Sequence, residues 1–267
     1  MISVADNGFL GIPLPAGLIE GAALYLARTG AMLLMMPLIG TGSSFSGYKV
    51  TLVASVTMVL FTSQGVPLVA TDSWMHFALL ILRELVIGFS LAFIFHIVVM
   101  GLRVGSEMVG NEMAFTMANS VDPASGESMP LLSRMNETLF FLTLLAMNGH
   151  HWIMRALAES YERAPVGSMA FGGDLPDTIA TLFSELFSAG LAFAAPVVVL
   201  LMMISLTIGL IARAVPQVNI LDLGFSMRVG GGLTAVGLLS PTMAPAMDAL
   251  LAHFMSGLEA GLDAIES

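Results

Sequence analysis

Cysteine is absent from this 267-residue chain, and with it go disulfides, cysteine-ligated metal sites and thiol catalysis. Charge is scarce as well. Asp, Glu, Lys and Arg together make up 10% of the residues, and lysine occurs once, at Lys49. Nine Lys plus Arg against nineteen Asp plus Glu give a formal charge of −10. That balance argues against nucleic acid, which needs a basic surface to neutralise phosphates, and against a polybasic lipid anchor. No Lys or Arg precedes Arg28, so the N-terminus lacks the basic segment of a cleaved signal peptide, and Met1 to Ser267 is taken as the mature chain. What fills the composition instead is apolar: 57% hydrophobic residues and a mean hydropathy of +0.90, too high for an ordinary soluble domain. Such a chain belongs in or against a bilayer.

The clearest span covers residues 186–212, which carry no charged side chain and give roughly 40 Å of helix, more than a ~30 Å hydrocarbon core requires. Pro196 interrupts it, which leaves two half-helices or one tilted span open. Further apolar runs lie at 18–38, 50–69, 74–102, 138–154 and 229–247. The last is rich in Gly and Pro, a poor free-standing helix. Breaks are expected near 40–47, 122–130, 164–176 and 216–224. The fold class is therefore all-α: five or six apolar helices over about 18–254, some of them broken, with residues 255–267 as an amphipathic acidic tail.

Several apolar runs contain charge. Glu20 and Arg28 lie in the first, Lys49 enters the second, and Arg83 and Glu84 sit in the third, ahead of His96. An ionised group at the bilayer centre costs at least ~2.5–3.5 kcal/mol, so such groups normally face protein or water. Alternatively the third span begins later, at residue 85, and leaves Arg83 and Glu84 at the interface. Adjacent helical positions point about 100° apart, so these two are not expected to pair with each other.

An enzyme reading finds little support. "GHHW", residues 149–152, places two histidines side by side, but they should diverge on a helix and no third ligand stands at metal spacing. Glu107 and Glu112 are five residues apart and do not share a helical face. Nothing resembles a nucleophile elbow or a phosphate loop, and no cofactor is implied. Arg103 with Glu107, Arg155 with Glu159 and Arg134 with Glu137 have the spacing of solvated helix pairs.

Two polar interruptions remain. In "GSEMVGNEMAFTMANSVDPASG", residues 105–126, Val109, Met113 and Met117 recur at i,i+4 and line one side of a helix. A methionine stripe of that kind is either ordinary core or a soft, mouldable seal, since the unbranched thioether adapts to many surfaces. Asp122 and Pro123 then end the helix, because the residue before proline is pushed out of the α region. In "GLIARAVPQVNILDLGF", residues 209–225, Pro216 removes a backbone donor and leaves carbonyls of the preceding turn unpaired. The amides of Gln217 and Asn219 can repair that break and bridge to a neighbouring helix; an interfacial loop is the simpler alternative.

Taken in order, these segments resemble a known family. "RAVPQVNILDLGFSMRVGGGL", residues 213–233, is similar to the signature of the FliR family, the flagellar type III export-gate subunit whose injectisome counterpart is the T subunit. Arg213, Pro216, Gln217, Asn219, Gly224, Phe225 and Gly232 match its arginine, Pro-Gln-x-Asn and Gly-Phe elements. Ser226 stands where proline is usual, and Arg228 replaces a lysine while keeping the charge. "RELVIGFSLAF", beginning at Arg83, resembles the family's Glu-Leu-x-x-Gly helix and brings in Glu84. "GNEMAFTMANSVDPASG" resembles its Gly-rich segment ending in Asp-Pro. "NGHHWIMRALAESYERAP" resembles its Asn-Gly-His block, through Gly149 and His150, followed by a Ser-aromatic pair. "RTGAMLLMMPLIG" resembles the N-terminal Arg-to-Pro element. The matches run from Arg28 to Gly232 and cover most of the chain.

The resemblance implies a single FliR-like domain over 1–267, a polytopic helical-hairpin subunit that packs with P- and Q-type subunits into a helical export-gate assembly. It implies a bacterial inner-membrane location in the flagellar basal body, contacts with other export-apparatus proteins, and unfolded flagellar substrates in transit. It also implies a plug for the closed channel, placed on residues 107–122, with Met113, Phe115 and Met117 as sealing candidates. Asp122, Pro123, Pro216, Gln217 and Asn219 are the candidates for helix breaks that pack subunits together. An injectisome T-type subunit is the alternative within the family. A secondary transporter would also have broken helices, but no internal repeat of the kind those folds carry is visible.

Overall fold

The computed structural model describes residues 15–37, 46–69, 71, 73–113, 131–168, 175–215 and 220–266. Among them every regular element is a helix: α1 Leu18–Met35, α2 Ser46–Ser63, α3 Trp74–Glu112, α4 Leu131–Ala146, α5 Gly149–Arg163, α6 Leu175–Ala214 and α7 Ile220–Glu266. The all-α class stands. Three helices, Leu18–Met35, Trp74–Glu112 and Pro176–Ala214, are long and apolar enough to cross a membrane.

The helices differ from the expected spans in three instructive places. The apolar run 138–154 is not one helix. α4 ends at Ala146 and α5 starts at Gly149, with Asn148 between them at φ 58°. Asparagine tolerates that left-handed conformation, which turns the chain sharply. Pro196 does not split α6 into half-helices, and the helix runs unbroken for 40 residues. The Gly- and Pro-rich run is not a weak helix but the middle of α7, 47 residues long. Packing outweighs propensity there. Gly231 receives the side chain of Ile204, and Gly232 that of Met113, where a Cβ would collide with either.

The chain forms two compact units. Unit 1 comprises Met1–His96, His150–Ala180 and Gly257–Ser267; unit 2 comprises Ile97–Gly149 and Thr181–Ser256. In unit 1 the core is built from Leu24, Met32 and Leu33 of α1, Leu80, Leu91 and Phe95 of α3, and Leu157 of α5. α5 presents Ile153, Ala156, Leu157, Ser160 and Tyr161 to that core, the spacing of one helical stripe, and Ala164 just beyond it is buried there too. The end of α7 adds Leu258, Leu262 and Ile265, so the acidic C-terminal segment is helical and buries an apolar face. It is also tied by an ion pair from Arg163 to Asp263.

Unit 2 has its own core, with Leu102 and Val109 of α3, Met113 just beyond it, Phe140 and Leu144 of α4, Leu186, Phe193, Val197 and Leu201 of α6, and Leu250 and Phe254 of α7. Its tightest contact is a crossing of α3 and α6. A Cβ on Gly101 would lie 2.6 Å from the carbonyl oxygen of Leu186, and one on Gly105 would strike the carbonyl of Gly190. Gly101 and Gly105 on α3, with Gly190 and Ala194 on α6, are paired small-xxx-small motifs. In a bilayer, where lipid tails are as apolar as leucine, such motifs let helices associate through close backbone approach.

Candidate functional site

Among the described residues, a buried polar cluster lies inside unit 1. Arg28, in the middle of α1, is completely buried. Its Nε donates to Glu84 Oε2 at 2.6 Å, and Nη2 approaches the same oxygen at 2.6 Å. Nη1 donates to the Ser160 carbonyl at 2.6 Å and to Ser160 Oγ at 3.3 Å, while Nη2 also donates to the Ala164 carbonyl at 2.8 Å. The guanidinium thus makes four hydrogen bonds and a close ion pair on three sides at once, a geometry that suits the planar fork of arginine. The hydroxyl of Ser160 can accept because its own proton goes to the Leu157 carbonyl at 2.7 Å.

Glu84 is likewise fully buried. Its second oxygen receives Arg83 Nη1 at 2.9 Å, and Arg83 also reaches the Pro165 carbonyl at 3.3 Å. The expectation that the two do not pair is therefore corrected: Arg83 and Glu84 are buried within unit 1 and bond to each other. The 100° separation applies to Cβ atoms, and the long arginine stem bends back across it.

Arg28 and Arg83 share the Glu84 carboxylate. The C-terminal end of α5 adds further acceptors. The carbonyls of Ser160, Ala164 and Pro165 converge on the guanidinium groups, where the helix dipole is negative. The Tyr161 ring lies under Arg28, with Cζ 4.4 Å from its centroid, a cation–π contact strengthened by the absence of water. Tyr161 donates its hydroxyl proton to the Tyr25 carbonyl at 3.0 Å, so the Thr29 hydroxyl, 2.9 Å away, is the donor to Tyr161. Burial pushes the Tyr161 phenol above its ordinary range, with the Thr29 bond and Arg28 acting in the opposite direction. It stays a neutral donor at physiological pH. Tyr25 stacks on Tyr161 at 4.2 Å and meets Phe61 edge-on at 5.4 Å.

The node explains why Glu84 and Gly88 are four residues apart. Both lie on one face of α3. While the carboxylate reaches the Arg28 side chain, a Cβ on Gly88 would collide with the Arg28 main-chain carbonyl. Three of the quoted motifs, those around Arg28, Glu84 and the Ser160–Tyr161 pair, thus meet at one point. The charges inside apolar runs were the available signal; the convergence was not readable from spacing.

Other expected pairs are rearranged. Arg103 bonds across to Glu137 of α4, at 3.1 Å, instead of to Glu107, and beside it Asn136 Nδ2 donates to Ser106 Oγ at 2.9 Å. Glu159 receives Arg163 at 2.6 Å instead of Arg155. The rings of His150 and His151 do not diverge; their centroids are 4.2 Å apart. Among the described residues, no three His, Asp or Glu side chains gather as metal ligands.

Of the sealing candidates, Met113 is completely buried in unit 2 against Gly232, and Val109 shares its face. Phe115 and Met117 lie outside the described residues, as do Asp122, Pro123, Pro216, Gln217 and Asn219. Of the motif residues, Gly149 begins α5 with no room for a Cβ beside Leu144, and His150 Nδ1 is buried without a partner among the described residues. Arg213 is exposed in the last turn of α6, where a cation complements the helix dipole. Gly224 is buried near Ile208, Phe225 is exposed, and Arg228 is half-buried.

A family model described as bacterial export proteins, family 1, matches residues 19–254, a stretch that contains the whole node and the α3–α6 crossing. The chain belongs to this family. Among members of the export family, it is 28% identical over 232 residues to the flagellar biosynthetic protein FliR of Escherichia coli K12, covering 86% of this chain and 88% of that one. The flagellar biosynthetic protein FliR of Bacillus subtilis is 26% identical over 210 residues, 77% and 80% of the two chains. The surface presentation of antigens protein SpaR of Shigella sonnei is 21% identical over 201 residues, 75% and 77%. The FliR resemblance of the motifs is therefore shown across nearly the full length, and in this chain the Arg28–Glu84 node is an internal clasp for three helices.

Proposed function

We propose that this chain is a subunit of the flagellar type III protein export gate in the bacterial inner membrane, at the basal body, where it helps form and seal the channel for unfolded flagellar proteins. The observation that carries the reading is the match to flagellar biosynthetic relatives over almost the whole of both chains. The distribution of surface supports it. Of the three span-length helices, α6 is among the most apolar, yet only 28% of its most apolar stretch is buried, against 67% for α3. An apolar helix left that bare has lipid or neighbouring subunits to meet, and P- and Q-type subunits are the proposed neighbours. The buried charges of unit 1 are saturated by one another and by main-chain carbonyls, which suits a mechanical part better than a reaction centre. Met113, Phe115 and Met117 are proposed for the seal. Asp122, Pro123, Pro216, Gln217 and Asn219 are proposed for the breaks where subunits join. The SpaR likeness keeps an injectisome gate as the second reading.

Loss of the chain from its host is expected to stop release of flagellar subunits and abolish swimming; undisturbed release would overturn the reading, and a block restricted to injected proteins would favour the second one. Deleting residues 113–117 is expected to leave the gate assembled but permeable to small solutes. Unchanged solute conductance of that assembly would remove the seal assignment.

A further inference from the structure

One face of α6 in unit 2 carries two rows at helical spacing, Met202, Leu206 and Leu210 in one and Ser205 and Gly209 in the other. Together with Glu112 at the end of α3 they line an open groove of about 570 Å³. The apolar row is strongly exposed, at 54%, 64% and 70%. Nothing would lie within 4 Å of a Cβ on Gly209, so a neighbouring backbone has room to approach closely. Two polar groups in this groove lack what their chemistry requires. Ser205 Oγ is buried with no hydrogen-bond partner among the described residues, and Glu112 has neither ion-pair nor hydrogen-bond partner among them.

We propose that this groove receives an apolar helix of another export-apparatus protein, and that the helix brings one lysine or arginine to Glu112. The inference rests on the gate reading and adds to it a place and a chemistry. Rows at i,i+4 accept the ridges of a second helix, and the open glycine permits the close approach that membrane helices use. The charge decides between occupants. An acyl chain would leave the Glu112 carboxylate uncompensated in an apolar surround, whereas a helix with a single cation neutralises it.

The test uses the full chain co-produced with its apparatus and purified in mild detergent. Glu112→Arg is expected to lower the amount of one partner protein by on the order of tenfold or more, as loss of a desolvated charge partner does. Changing one basic residue of that partner's helix to glutamate should restore it. Leu206→Trp, on an exposed position, should also displace the partner while membrane levels of the chain stay unchanged, which separates docking from folding. Because the chain has no cysteine, Leu206→Cys gives a single reporter thiol, expected to cross-link to that partner. The proposal is overturned if Glu112→Arg and Leu206→Trp keep the full complement of partners, if no basic-to-acidic change restores Glu112→Arg, or if the thiol of Leu206→Cys meets only lipid probes. If loss of the whole chain leaves secretion intact, the gate reading fails; if that loss stops secretion while both variants assemble normally, only the docking proposal does.

Discussion

Glu84→Ala is expected to deplete the protein from membranes and abolish export. The substitution removes the carboxylate that Arg28 and Arg83 share and sets two buried guanidinium groups against each other beside main-chain carbonyls. Breaking a buried pair from one side costs about 3–5 kcal/mol, a large share of the ~5–15 kcal/mol that holds an ordinary fold. Glu84→Gln keeps an acceptor oxygen without the charge and should fall between Ala and the parent. Arg28→Lys should resemble Ala more than Gln, because a three-donor ammonium cannot span Glu84, Ser160 and Ala164 together. Immunoblots of membranes and unfolding temperature in detergent give the order. Parental levels and stability for Glu84→Ala would mean that the node does not hold unit 1 together.

Gly190→Leu should be comparably damaging, for a steric reason. Its Cβ would collide with the Gly101 carbonyl and come within 3.0 Å of the Gly101 Cα, and a backbone cannot rotate aside as a side chain does. Overpacking in a dense core costs about 1–3 kcal/mol where neighbours can give; here they cannot, and the α3–α6 crossing must open. Gly230→Ala is the control. Nothing lies within 4 Å of its Cβ, so the gain of up to ~1 kcal/mol in helix propensity should leave stability equal or higher. Equal loss at both positions would show that glycine flexibility, not close approach, is what matters.

Much of this architecture is legible in the sequence because apolar length and helical spacing are local properties. α1, α3 and α6 appear as runs. Features that depend on distant residues are hidden. Arg28 and Ser160 are 132 positions apart, and no local pattern says that one donates to the other. The Gly- and Pro-rich stretch of α7 reads as a poor helix until Ile204 and Met113 occupy the space its glycines leave. The turn at Asn148 is hard to see because apolar residues resume soon after it, at Trp152 to Met154, and the clue is an asparagine followed by glycine and two histidines. For neighbours such as Arg83 and Glu84, or His150 and His151, the divergence of Cβ directions does not keep the ends of the side chains apart.

Membership of a multi-protein gate is the central expectation for this chain. The most direct measurement is gentle detergent extraction of the chain from its host membrane, followed by mass spectrometry of the intact complex. P- and Q-type export subunits in fixed ratio to the chain are the predicted result. A chain that emerges alone, or only as a solute-binding oligomer of itself, would contradict it.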